Sequence, residues 1–419
     1  MKKILHLDVN SYFATLEQQA YPSLRGKPIG VAGKGKGERT VVAGASIEAK
    51  KFGVKSGMSS WEAKRLCPKI IIIEADYDRY IFTSKRIFNI MERFGPKVDI
   101  FSIDEAFLDL YDDMSWDEAI IIAKRLKQAI RREIGEWVSC SVGISYGKTL
   151  AKLASEMQKP DGLTVIRPED FAKIAAVTPI EELCGIGFRL HPRLNRMGIN
   201  TIAELGSMPC EMLTATFGEY TGTWLHNIGN GRDSNILHSW RSLPQEKSIG
   251  HSYTLPQDIA NPSDVKKVLL LLCERVGARM RQKNLAGKTV SLYLRFGDRT
   301  GFDESRNQKR FLRSGYDVYL AAENLLHEIS SLQPVRLVAV TVSDLTSWEN
   351  LSAPLFVEEQ RQEALNSQVH SLNRRYGEFT VFRGALAAIK KRIHKLPDGR
   401  NKRLYLPQIT EINPFTKRV

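Results

Sequence analysis

At 419 residues the chain is too long for one hydrophobic core, and about two to four domains are expected. Its 42% apolar and 26% charged residues exclude a disordered or collagen-like chain, while a net charge of +14 and a pI near 9.4 point to an anionic partner, nucleic acid first. Five scattered cysteines (Cys67, Cys140, Cys184, Cys210, Cys273) without a CxxC pair speak against structural zinc, and no export signal or membrane-length apolar run is visible, so a cytoplasmic protein without a membrane partner is expected.

Residues 3–9 read as a short strand ending at Asp8, followed by a helix over 10–20. "VVAGAS" (41–46) is a small-residue strand, and 47–66 reads as helical pieces broken by Gly53 and Gly57. A helix over 77–94 carries Ile81, Ile87, Ile90 and Met91 at helical spacing. Strands at 97–102 and 105–110, a helix at 115–133 and a strand at 138–145 complete a β-α-β-β-α-β order once the insert is set aside, a ferredoxin-like module in an α+β chain. A helical region with glycine turns follows from about 166 to 231, then a polar, turn-rich tether. Beyond it lies a second β-α-β-β-α-β set: "IGHSYTL", a helix at 263–284, the alternating "TVSLYLRF", a helix at 315–331 and "VRLVAVTVSDL". The last 37 residues, 383–419, hold ten Lys or Arg against Asp398 and Glu411.

The stretch "FSIDEAFLDL" (101–110) places Asp104 and Glu105 in the middle of an apolar strand, where unpaired carboxylates are costly. Neighbours on an ideal strand face opposite ways, so the two acids share a ligand only at a turn or strand end. Asp8 ends the first strand, and in a ferredoxin-like sheet the middle strands can bring it to the same edge. Three carboxylates without nearby His or Cys make a hard-oxygen site suited to Mg²⁺, with Mn²⁺ as the alternative. For any one of these acids an exposed turn residue is the better reading; for the three together the neighbouring segments decide.

Six segments occur in a telling order: "LHLDVNSYFATLE" (5–17), "IEAKKFGVKSGM" (47–58), "SIDEAFLD" (102–109), "SVGISYGKTLAKLASEMQKPDG" (141–162), "LCGIGFRLHPRLNRMGI" (183–199) and "KSIGHSYTL" (247–255). Together they resemble the Y-family translesion DNA polymerases, most closely the bacterial polymerase IV branch, from residue 3 to about 345. The resemblance implies a right-hand architecture: palm 1–10 and 77–165, fingers 11–76, helical thumb 166–231, linker 232–246 and little finger 247–345, with a basic tail over 346–419. It implies that Asp8, Asp104 and Glu105, with the Val9 carbonyl, hold two Mg²⁺ ions. It places Val9, Asn10, Ser11, Tyr12, Phe13, Ala43, Lys50, Gly57 and Lys159 around the deoxynucleoside triphosphate. Phe13 matches the steric gate that rejects the ribose 2′-hydroxyl, and Ala43 and Gly57 match the small residues over the nascent base pair. The implied reaction is template-directed addition of deoxynucleotides to a primer 3′-hydroxyl with release of pyrophosphate, without proofreading, by a monomer acting in damage tolerance. The alternative is a catalytically weak or inactive accessory subunit that holds DNA and partner proteins; a palm-type cyclase would need no duplex grip.

Two positions depart from the pattern. Ile47 and Lys50 stand where the family usually has Tyr and Arg, so phosphate contacts are lost unless the basic loop "GKGKGER" (33–39) replaces them. The turn Gly185-Ile186-Gly187 resembles a helix-hairpin-helix that offers backbone amides to DNA phosphate, with Leu183, Ile186, Leu190, Leu194 and Met197 as its core. Residues 241–341 hold sixteen Lys or Arg against ten acids, and Arg295, Arg299, Lys309 and Arg310 are the expected duplex contacts. "SAPLF" (Ser352–Phe356) is a candidate sliding-clamp peptide, though Ser352 replaces the usual glutamine. "GISYGKT" (143–149) has three residues between its glycines where a phosphate-binding P-loop needs four.

Overall fold

The structure is a computed structural model and describes residues 2–33, 40–242, 246–329 and 332–387. The basic loop at 34–39 and the tail from 388 lie outside the described residues. The chain divides between Leu243 and Pro244 into two compact units.

The first unit opens with β1 (Ile4–Val9) and α1 (Tyr12–Ala20). An insert follows: β2 (Ile29–Ala32), β3 (Val42–Ala45), α2 (Ile47–Lys50), α3 (Ser60–Leu66) and β4 (Ile71–Glu74), whose strands form a small sheet in the order β3-β2-β4. Ser46 and Ser59 start the two short helices by accepting the amides of Ala49 and Glu62. The chain then makes α4 (Tyr77–Met91), β5 (Lys97–Ile100), β6 (Glu105–Asp109), α5 (Trp116–Glu133), β7 (Cys140–Ser145), α6 (Lys148–Met157) and β8 (Leu163–Val165). Ser115 and Glu118 close a reciprocal cap at the start of α5.

The main sheet has the order β5-β6-β1-β7-β8, so the ferredoxin-like expectation holds and β8 adds a parallel edge. Period-two alternation then sorts the side chains of β1. Leu5, Leu7 and Val9 join the core formed with α4 and α5, whereas Ile4 packs with Phe107, Ala151 of α6 and Leu237. His6 and Asp8 share the face of Ile4 and therefore lie under α6.

The helical region contains α7 (Phe171–Val177), α8 (His191–Arg196), α9 (Ile202–Ser207), α10 (Cys210–Phe217) and α11 (Glu219–Gly229). Leu183, Ile186 and Leu194 are fully buried there, with Leu190 and Met197 packed against them. Pro192 sits in the first turn of α8, where a missing N–H costs nothing. Gly185 adopts φ +109°, and a Cβ there would come within 2.8 Å of Trp224, so the turn requires glycine. The segment read as a tether is in large part fastened: Trp240 is buried beside Phe88 and donates to Glu92, and Arg241 makes a two-pronged ion pair to the same carboxylate.

The second unit contains β9 (Ser248–Ile259), α12 (Pro262–Gln282), β10 (Leu285–Phe296), β11 (Gly301–Leu312), α13 (Gly315–Leu326), β12 (Val335–Ser343) and the two-residue β13 (Thr346–Ser347). Its four long strands run antiparallel in the order β11-β10-β12-β9. Residues beyond 346, read from sequence as a tail, carry α14 (Val357–Tyr376) and a strap that ends with Leu386 buried between Leu270 and Leu271. Ion pairs Arg281–Glu363 at 2.9 Å and Arg383–Glu274 at 2.8 Å fix this strap to α12. This explains the all-round apolar run "VLLLLC" of α12: Leu269 and Leu272 face the sheet, and Leu270 and Leu271 face the strap.

Candidate active site

β1 and β6 are central neighbours, and their antiparallel register sets Asp8 directly opposite Glu105. The Val9 amide donates to the Asp104 carbonyl at 3.0 Å, so the turn before β6 closes against the end of β1. Residues 97 positions apart in sequence thereby share one sheet edge. Glu105 is buried, and its Oε2 meets the Lys152 ammonium from α6 and lies 3.2 Å from His6 Nε2. His6 Nδ1 in turn lies 2.8 Å from the Ser155 hydroxyl. Asp8 Oδ1 lies 3.1 Å from the Lys159 ammonium, which also pairs with Glu156 at 2.7 Å. The Ser102 hydroxyl donates to Asp104.

The electrostatics follow from burial in a crowded acidic edge. Burial, with the nearby Asp104 charge, outweighs Lys159 and pushes the Asp8 carboxyl up to about 6. Burial and the Glu105 charge likewise raise Asp104. Burial also raises Glu105, but hydrogen bonds from His6 and Lys152 overcome it and bring that carboxyl down to about 2. The chain's own ammonium groups thus stand where positive charge is wanted. Among the described residues no group of three or more His, Cys, Asp or Glu side chains is drawn together closely enough to hold an ion. The donor set nonetheless fits one: hard carboxylate oxygens at a single edge, short of positive charge, with no thiolate in the cavity beside them.

That cavity measures about 550 Å³. Asp8, Asp104, Phe13, Ala43, Lys50 and Lys159 line it, as do Val9, Asn10, Ser11 and Tyr12. The Phe13 ring is held 4.7 Å from Tyr80 and edge-on to Tyr77 at 6.2 Å. Gly44 lies beneath it: a Cβ at that position would approach the ring to 3.2 Å. Tyr12 points into the core instead, donating to the Tyr80 carbonyl at 2.7 Å. Lys50 lines the same cavity, and desolvation and the like charge of Lys159 lower its pKa. Two ammonium groups lining one cavity suit a polyanion.

Several residues stand differently from expectation. Gly57 does not line the cavity; it is a turn glycine at φ +90°, and its neighbour Ser56 reaches the wall. Ile47 does line it and offers no donor, so the missing hydroxyl is real. Lys51, Ser56 and Pro160 are wall residues that sequence reasoning passed over, as it did Lys152 and His6 on Glu105. Gly187 has open space around it, and Phe188 beside it is 83% exposed, so the hairpin tip is accessible. In the second unit Arg295, Arg299, Lys309 and Arg310 are exposed along and between β10 and β11, and Arg310 pairs with Glu359 of α14 at 2.9 Å. In the candidate clamp peptide Leu355 and Phe356 are 87% and 67% exposed.

Comparison with known proteins bears directly on this site. Residues 7–156 match the impB/mucB/samB family model and 246–355 match the model of that family's C-terminal domain. Residues 181–233 match a model described as the DNA polymerase-iota thumb domain. DNA polymerase IV of Moorella thermoacetica is 40% identical over 91% of this chain and 95% of that protein. The chain belongs to the Y-family DNA polymerases. DNA polymerase IV of Pelotomaculum thermopropionicum is 38% identical over 91% of this polymerase and 94% of its own length. DNA polymerase IV 1 of Bacillus subtilis is 31% identical over 91% and 92%. A solved Y-family DNA polymerase chimera built from Dbh and Dpo4 superposes with a TM-score of 0.73 at 27% identity, covering 82% of this polymerase and 99% of the chimera. The protein is therefore a DNA-directed DNA polymerase of the translesion type. Among its described residues no helix is long and apolar enough to cross a membrane.

Proposed function

We propose that this polymerase adds deoxynucleotides to a primer end at the edge formed by Asp8, Asp104 and Glu105, with the triphosphate in the adjoining cavity. The observation that carries the reading is the in-register pairing of Asp8 with Glu105 beside a cavity that also presents Phe13, Lys50 and Lys159. Asp8, Asp104, Glu105 and the Val9 carbonyl would hold two magnesium ions. Bound there, these ions supply the charge that favours the primer alkoxide and the departing pyrophosphate.

The chain's own residues do the rest. Lys159 and Lys50 attract and orient the triphosphate from the cavity wall. The Phe13 ring, wedged by Tyr77, Tyr80 and Gly44, cannot yield to a 2′-hydroxyl, and deoxyribose is selected by exclusion. Ala43 keeps the wall over the nascent pair low, which leaves space for distorted templates. Gly185 and Gly187 offer the thumb's backbone to primer–template phosphate, and Arg295, Arg299, Lys309 and Arg310 grip the duplex without reading sequence. Leu355 and Phe356 are the exposed pair through which a sliding clamp would be met. The protein works as a cytoplasmic monomer in this reading.

Extension of a primed template with Mg²⁺ and deoxynucleotides, wild type against Asp104→Ala, tests the assignment. Extension lost in the variant with DNA binding retained supports it. Undiminished extension by the variant excludes it.

A further inference from the structure

Lys159 follows α6 by two residues and has no helical hydrogen bonds to hold it in place. Its ammonium pairs with Asp8 and Glu156, but the backbone of its turn needs a seat of its own, because an ordered ammonium binds phosphate better than a mobile one. The structure points to Asn10. Its side chain is buried at 4% exposure, and its Oδ1 accepts the Asp161 amide at 2.8 Å across 151 positions of sequence. The same oxygen accepts the Ser139 hydroxyl at 3.2 Å, and Nδ2 donates to Ser141 Oγ at 2.9 Å. The Asn10 main chain is equally tied: its amide donates to the Ser139 carbonyl at 3.0 Å and its carbonyl accepts the Thr15 hydroxyl at 2.6 Å. From the other side, Asp161 pairs with Lys127 at 3.1 Å and with Arg131, and Lys127 also donates to the Gly162 carbonyl at 3.0 Å. The 159–161 turn is therefore clamped between the start of α1 and the helix α5.

We propose that Asn10 is a positioning residue that acts through Lys159: its carboxamide seats the 159–161 turn so that the ammonium faces the triphosphate. Asn10 then borders the nucleotide cavity without needing to bond the nucleotide, since its oxygen is spent on Asp161 and Ser139. The inference rests on the assignment of Lys159 to the triphosphate made above.

The test is a double-variant cycle on the full chain, read as KM and kcat for single-nucleotide extension of a primed template. Asn10→Ala is expected to raise the nucleotide KM about tenfold while kcat stays within about threefold. Asn10→Asp keeps an acceptor for the Asp161 amide and two hydroxyl donors, and is expected to recover most of that loss. In a Lys159→Ala background Asn10→Ala is expected to add no more than about twofold, because the residue it positions is gone. Should Asn10→Ala not fold, Asn10→Ser, whose hydroxyl is too short to reach Asp161, takes its place in the cycle. A full tenfold penalty in the Lys159→Ala background, a loss confined to kcat, or no recovery with Asn10→Asp would overturn the proposal. An unchanged KM in Lys159→Ala alone would remove the lysine assignment, and this inference with it.

Discussion

The two compact units each contain a β-α-β-β-α-β module, yet they use it in opposite ways. In the first unit the first and third strands of the module, β1 and β6, lie side by side at the centre; in the second the central pair is its second and fourth strands, β10 and β12. The first arrangement sets the chain's opening strand against a strand about a hundred positions later, and both are covered by helices on each face. β6 and β7 are buried at every residue. Charges placed there are desolvated, so their pKa values move and they hold opposite charge strongly. The second arrangement leaves the β10–β11 hairpin on an open face, where β10 largely alternates buried and accessible side chains and β11 is mostly exposed. Charges there stay in water and grip a partner by number and reach. One element order thus yields a concentrated site or a diffuse one, depending on which strands are central.

The contrast can be broken by substitution. The largest effect is expected in the first unit: Asp104→Ala or Glu105→Ala should reduce extension at least about 10³-fold, read by single-turnover primer extension. Phe13→Ala should relax the choice of deoxyribose over ribose by about 10²-fold, measured as the ratio of the two kcat/KM values. Ile47→Tyr with Lys50→Arg should restore phosphate contacts and lower the nucleotide KM at least about 30-fold, each contact contributing about 1–3 kcal/mol. An unchanged KM in that double variant would show that the departures at 47 and 50 are compensated elsewhere.

In the second unit the changes should be smaller and salt-dependent. Arg299→Ala or Lys309→Ala should weaken duplex binding only severalfold, equally across sequences, and each should reduce the salt slope by about one. Arg310→Ala should do less, because Glu359 already shares that charge, and Glu359→Ala should tighten binding. The smallest effect concerns stability. Asp8 titrates near 6 in the folded chain and near 3.8 when unfolded, so its ionised form is disfavoured by folding and its cost appears as pH rises through that window. Asp8→Asn should therefore stabilise the metal-free protein at pH 7.5, by at most about 3 kcal/mol, and leave its melting temperature nearly unchanged at pH 3.5.

Much of the candidate site's geometry was legible because its parts sit in short local motifs. Asp8 ends a strand, "SIDEAF" is a turn into a strand, and "SEMQKPDG" places Lys159 just past a helix. The sheet order followed from the module, and with it the meeting of Asp8 and Glu105. Contacts across the fold were not legible: Lys152 meets Glu105 over 47 positions, and no local pattern encodes that. The strands β2 and β4 are four residues each, too short for alternation to declare them. α14 has no fully buried side chain and so lacks the apolar stripe that betrays a helix. Trp240 was a signal that the tether is anchored, since an indole in a polar stretch usually finds a surface to cover. Gly57 is a glycine that its turn requires at φ +90°, a need that the resemblance alone did not declare.

The central claim is that oxygens from the chain's start and from residues 104–105 grip common divalent cations. Titration of Mn²⁺, followed by electron paramagnetic resonance, into the polymerase bound to primer–template and a non-hydrolysable deoxynucleotide measures this directly. The account predicts that Asp8→Asn and Glu105→Gln, alone, each weaken that binding at least about tenfold. Mn²⁺ affinity equal to wild type in both variants would contradict it.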